Sequence, residues 1–107
     1  MTIAITTTGT GWKDPMDERF GRANGFFLID QESGETRYID NSDNVNADHG
    51  AGPGATQILA DAGVSVLITG RIGPKAHDAI RAVGIRVELM DGNPTVEDAY
   101  AAFQRKA

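Results

Sequence analysis

Apolar residues in this 107-residue chain come in short runs separated by polar, glycine-rich stretches, first at the spacing of strands and later at that of helices. Thr2 to Thr8 reads TIAITTT, a β-branched run closed by the turn signal Gly9-Thr10-Gly11, and predicts a first strand. Phe26 to Asp30 (FFLID) predicts a second, and Glu35 to Asp40 (ETRYID) a third, returning as a hairpin through the turn Gln31 to Gly34. A helix is expected to open at Pro53, where a missing N–H costs nothing, with Ala55, Ile58, Leu59 and Ala62 on its buried face and Gly63 as its stop. Val64 to Thr69 (VSVLIT) is nearly all apolar, as befits a central strand covered on both faces. A second helix opens at Pro74, carries Ala76, Ile80 and Val83 on one stripe, and ends at Gly84. Ile85 to Met90 (IRVELM) makes a fifth strand, and Thr95 to Gln104 a last helix with Val96, Ala99, Tyr100 and Phe103 inward.

The order β-β-β-α-β-α-β-α begins with antiparallel hairpins and ends with parallel crossovers. It predicts an α/β single domain over residues 1–107, with a mixed five-stranded sheet of order 3-2-1-4-5, the second strand antiparallel, flanked by three helices. Strands one and four then lie side by side and parallel, and the chain leaves their carboxyl ends in opposite directions, a switch point of the kind ligands favour. The loop after strand one, the segment Asn41 to Gly52, and the starts of the first two helices should meet at that edge.

Forty per cent apolar residues in one chain of this length suffice for a single core. The formal charge of −5 and the isoelectric point near 4.8 argue against general nucleic-acid binding, which needs a dense Lys/Arg surface. With no cysteine, disulfides, thiolate metal cages and cysteine nucleophiles are excluded. No charged leader or membrane-spanning apolar run is apparent, so a cytoplasmic protein without membrane contact is expected.

Candidate chemistry gathers at the predicted edge. Gly52-Pro53-Gly54-Ala55 and Gly73-Pro74-Lys75-Ala76 would each leave N–H groups pointing outward with the positive end of a helix dipole behind them, suited to an anion. Glycine lets a bulky anion come close to the backbone. His49, among the small residues Gly50, Ala51 and Gly52, is a candidate metal ligand, and His77 in the first turn of the second helix is another. The ordinary alternatives are a solvated loop histidine and a surface histidine. Met16 and Trp12, in the first loop, could cover an apolar or sulfide-rich ligand, or could simply pack the loop down. Arg19, Arg22, Arg71 and Lys75 bring positive charge, accompanied by Asp14, Asp17, Glu18, Asp43 and Asp48, so the edge is mixed. Arg71 directly precedes a helix start and could pair with a bound anion.

The segments Arg19-Phe20-Gly21-Arg22-Ala23, Phe26-Phe27-Leu28-Ile29-Asp30, His49-Gly50, Leu59-Ala60-Asp61-Ala62-Gly63-Val64, Gly70-Arg71-Ile72-Gly73-Pro74 and Ala82-Val83-Gly84-Ile85 together extend over almost the whole chain. In order and spacing they resemble the dinitrogenase iron-molybdenum cofactor biosynthesis family, the NifX-like group that includes cofactor-carrier domains and the molybdenum-copper orange protein. The resemblance implies a ribonuclease H-like fold. It also implies a non-catalytic carrier for a metal-sulfur cluster, either a molybdenum-copper sulfide or an iron-molybdenum type, with protein partners in cluster assembly or delivery. The cradle would be Gly50, Gly52, Gly54, Ala55, Arg71, Gly73 and Lys75, with Met16 and Trp12 beside it and His49 or His77 touching metal.

Two other functions compete. A nuclease of ribonuclease H type needs several carboxylates converging on two Mg2+ ions. The first strand has none, the first helix offers only Asp61 at its far end, and the fourth strand runs into Gly70. A metal-free interaction or regulatory module, docking a partner or a small anion at the glycine edge, is the alternative the residues allow.

Overall fold

The structure is a computed structural model that describes residues 1–42 and 51–106. Five strands, β1 (Thr2–Thr7), β2 (Gly25–Asp30), β3 (Thr36–Asp40), β4 (Val64–Thr69) and β5 (Arg86–Leu89), form one sheet of order β3-β2-β1-β4-β5. Strand β2 pairs antiparallel with β1 and β3, while β1–β4 and β4–β5 are parallel, as the connection rules predict. Three helices are described: α1 (Ala51–Asp61), α2 (Pro74–Ala82) and α3 (Val96–Lys106).

Alternation along the strands makes two cores. Ile3 and Ile5, Phe27 and Ile29, and Val66 and Ile68 face Val96, Ala99 and Phe103 of α3. Ala4, Phe26, Leu28 and Leu67 face the other way, against Ala55 and Leu59 of α1 and Ile80 of α2. Strand β4 is therefore covered on both faces, and the inward faces predicted for the first and last helices hold. The hairpin turn also forms as expected: Gly34 takes a φ of +78°, and the Asp30 carboxylate accepts the Glu32 N–H at 2.9 Å, which pulls the Asp30 pKa below its ordinary value.

Two details of the helices differ from the sequence reading. Ala51 and Gly52 are already helical, so α1 does not open at Pro53. A proline is tolerated anywhere in a first turn, because none of those N–H groups has an intrahelical partner. Val83 leaves the apolar stripe of α2 and stands 49% exposed. The cause is the helix stop. Val83 is the C-cap, Gly84 follows with φ +84°, and the Gly84 and Ile85 N–H groups donate back to Arg81 and Ile80 at 3.0 and 3.1 Å. This closure puts Ile85 against Ile80 in the core, where the helical period had placed Val83.

Phe103, 2% exposed between α3 and the sheet, should cost about 3–5 kcal/mol when replaced by alanine. Val83→Ala should stay within about 0.5 kcal/mol. Urea unfolding of the two variants checks the assignment of core and cap.

Candidate functional site

The carboxyl edge is built by the first loop turning back onto the ends of β1 and β4. Thr6 and Thr69 are both fully buried, with their hydroxyl oxygens 2.9 Å apart across the β1–β4 pairing. The Thr6 hydroxyl also lies 2.6 Å from the Asp17 carbonyl, which can only accept, so Thr6 donates to Asp17 and receives from Thr69. The Asp17 N–H in turn donates to the Thr6 carbonyl at 2.9 Å. Lower in the loop, the carbonyls of Asp14 and Trp12 accept the Val96 and Glu97 N–H groups, both at 2.9 Å, and the Thr95 hydroxyl accepts the Asp98 N–H at 3.1 Å. The loop thus caps the start of α3 while its far end stays on the sheet.

Beyond Asp17 the loop runs beside the residues leaving β4. The Arg71 N–H donates to the Glu18 carbonyl at 2.5 Å and the Phe20 N–H to the Arg71 carbonyl at 3.1 Å, a one-step parallel extension of β4. Gly70 permits this approach. A Cβ at that position would lie 2.9 Å from the Glu18 carbonyl oxygen and 3.0 Å from its Cα, closer than packed atoms tolerate.

Between this extension and α2 opens a cleft of about 390 Å³. Phe20, Ile72 and Ala76 line it with apolar surface, Arg19, Arg22 and Arg71 border it, and Gly73 stands beside it as the N-cap of α2. The first backbone bond of α2 is donated by His77 to the Gly73 carbonyl at 2.9 Å, so the Lys75 and Ala76 N–H groups precede it at the positive end of the helix. Arg71 Nη2 lies 2.8 Å from Glu18 Oε1, and Arg19 Nε lies 3.8 Å from Asp17 Oδ1. The result is a small, largely apolar hollow bordered by three arginines and a helix start.

The structure brings only part of the candidate set to this cleft. Arg71 and Gly73 border it, and Lys75 is exposed on the first turn of α2. Ala55 is fully buried and is the fifth helical residue of α1, so the regular i→i−4 pattern takes up its N–H and it is no free donor. Gly54 sits beside it, half-buried within the helix. Met16 is 3% exposed in the α3-side core, and Trp12 packs edge-on against Phe27 at 4.8 Å and beside Tyr100 at 5.7 Å. Both pack the loop down and do not line the cleft. His77 borders a different depression, with Arg81, Gly84 and Ile85 on the α2–β5 flank, away from the cleft. His49 and Gly50 lie outside the described residues, as do Asp43 and Asp48; Gly52 is described only as part of the α1 backbone. Among the described residues no group of three or more His, Asp or Glu side chains could hold a metal ion.

The sequence reading missed the apolar floor and the carboxylate partner of Arg71. Ile72 and Ala76 sit at a helix start and Phe20 in a loop, so no periodicity flags them. It also missed Asn41, 1% exposed, whose amide donates to the Ala23 carbonyl at 2.9 Å and ties the end of β3 to the end of the first loop.

A mixed five-stranded sheet of order β3-β2-β1-β4-β5 with a cleft at its switch point defines a class of small α/β domains. Residues 1–106 match the dinitrogenase iron-molybdenum cofactor family, and the chain belongs to it. Its fold is also that of the apo form of the orange protein from Desulfovibrio gigas, at 42% identity and a TM-score of 0.93, covering 98% of this chain and 88% of that one. A NifB-like protein from Thermotoga follows the same course at 32% identity and a TM-score of 0.85, over 97% of this chain and 87% of that one. An uncharacterised protein of Methanocaldococcus jannaschii is 32% identical over 74 residues, which is 67% of this chain and 63% of that protein's length.

Gly70→Ala should destabilise the fold by about 1–3 kcal/mol, because backbone must move to admit the methyl group. Gly73→Ala meets nothing within 4 Å and should change stability by less than about 0.5 kcal/mol. Denaturant midpoints of the two variants against the parent test how the edge is assembled.

Proposed function

We propose that this chain is a non-catalytic binding or carrier protein whose cargo is an anionic metal-sulfur cluster, of molybdenum-copper sulfide or iron-molybdenum type. The observation that carries the proposal is the cleft at the sheet's switch point, bordered by Arg19, Arg22 and Arg71 together with the apolar Phe20, Ile72 and Ala76. Family membership and the 42% identity to the orange protein support a metal cluster or cofactor as the class of cargo.

The donor set fits a cluster held from outside its metal ions. Sulfide ligands are large, soft and negatively charged, so they suit apolar contact, guanidinium groups and helix-start N–H donors. Cysteine is absent, and a carrier without thiolates can release its cargo intact. Arg71 and the Lys75 and Ala76 N–H groups would bind and orient the anion, while Phe20 and Ile72 would exclude water from one side of it. His49 stays the proposed metal contact, two residues before the described start of α1. We take the domain as a single cluster-binding unit of ribonuclease H-like fold, working in the cytoplasm with proteins that load or receive the cluster. Among the described residues no helix is long and apolar enough to cross a membrane. The edge carboxylates Asp17 and Glu18 sit by Arg19 and Arg71, an arrangement that favours anion binding over a two-metal nuclease centre.

Anaerobic titration of the purified protein with tetrathiomolybdate, with and without copper(I), followed by desalting and metal analysis, tests the proposal. Stoichiometric retention with a new charge-transfer spectrum is expected, and Arg71→Gln should weaken it about tenfold through loss of a charge-assisted contact. Retention in neither form would remove the molybdenum-copper cargo. Failure with iron-molybdenum-type clusters as well would leave the metal-free module.

A further inference from the structure

Arg71 borders two depressions at the carboxyl edge. One is the cleft of about 390 Å³ described above; the other, about 260 Å³, lies towards the end of β5 and is also bordered by Glu18, Met90 and Asp91. Glu18 lines only the second, yet its carboxylate reaches Arg71 at 2.8 Å. Arg71, which borders the cleft, is therefore engaged through its guanidinium by a carboxylate stationed outside that cleft. Any anion entering the cleft meets that arginine already paired.

The pair is built to be displaced. Its side chains are 71% and 51% exposed, so water and salt weaken their attraction. The Glu18 backbone is held separately, by the Arg71 N–H on its carbonyl, so the side chain can leave without freeing the loop. Asp17 differs: its carboxylate accepts the Arg19 N–H at 3.0 Å and is nearly buried, a fixed part of the loop. Asp91, lining the same depression as Glu18, would repel a released Glu18 carboxylate and favour its return to Arg71.

We propose that Glu18 is an internal competitor for Arg71 that limits how tightly the cleft holds its anion and so promotes release of the cargo. The inference rests on the carrier reading above. Glu18 acts through Arg71 and touches no cargo, which makes it a positioning residue.

The test is a double-mutant cycle with tetrathiomolybdate as the probe, titrated anaerobically against the full chain, Glu18→Gln, Arg71→Gln, the double variant and Asp91→Asn. Glu18→Gln should bind about two- to fivefold more tightly than the parent, the range an exposed ion pair allows. In the Arg71→Gln background the same change should do nothing, and Asp91→Asn alone should move the affinity less than Glu18→Gln does. Equal affinities for the parent and Glu18→Gln overturn the proposal. So does equal tightening with and without Arg71, which would mean general charge repulsion. Silence from all five proteins instead removes the molybdenum-copper cargo and overturns the competitor with it. Unfolding midpoints of Glu18→Gln and the parent should agree, since the carbonyl contact is kept.

Discussion

What happens at the carboxyl edge depends on how close two pieces of backbone come where β4 gives way to Gly70. Strand β4 could have ended against solvent, as edge strands do, and the first loop could have crossed it at side-chain distance. Instead the Glu18 backbone lies against Gly70, at a separation no Cβ would survive, and the buried Thr6–Thr69–Asp17 hydroxyl relay fixes the height at which the loop arrives. From that contact follow the Glu18–Arg71–Phe20 backbone bonds, the position of the Arg71 side chain, and the gap between loop and α2 that becomes the cleft. The loop's other end caps α3, so the same seventeen-residue excursion from Thr8 to Asn24 joins one core to the site above the other.

The local electrostatics run against the whole. A chain of net charge −5 repels anions at long range, and at physiological salt that repulsion fades within about 8 Å of the surface. Inside that distance the cleft presents Arg19, Arg22, Arg71 and the start of α2, with the Asp17 and Glu18 carboxylates beside Arg19 and Arg71. Much of the edge's negative charge is arranged to interfere little: the Asp14 carboxylate accepts the Thr10 and Gly11 N–H groups, and Asp17 is folded under the loop. Glu18 differs from both: its carboxylate, half exposed, pairs with the Arg71 side chain.

Fold and site were legible to different depths in the sequence. Strand positions and sheet order were readable because period-two alternation and the Gly-stop, Gly-Pro-start punctuation are local signals, and VSVLIT marks a strand with two covered faces. Val83 was misplaced because a helical period cannot announce where a Schellman turn hands the core position to Ile85. That Arg71 and Gly73 stand at the carboxyl edge was legible from their place before a helix, and both border the cleft. The core packing of Met16 and Trp12 was left open, since a loop gives no periodicity from which to read whether a side chain turns to the core or to a ligand. The Glu18–Arg71 pairing spans 53 positions and arises only from the close approach at Gly70, so nothing in either segment taken alone encodes it.

Backbone amide NMR of the isotope-labelled protein, with and without a bound thiomolybdate cluster, tests the central claim that cargo sits between the first loop and the start of α2. The account predicts the largest perturbations at Arg19, Phe20, Arg71, Ile72, Gly73 and Lys75, with His77, Arg81 and Arg86 on the α2–β5 flank nearly unmoved. Perturbations centred on that flank, or spread evenly over the surface, would contradict it.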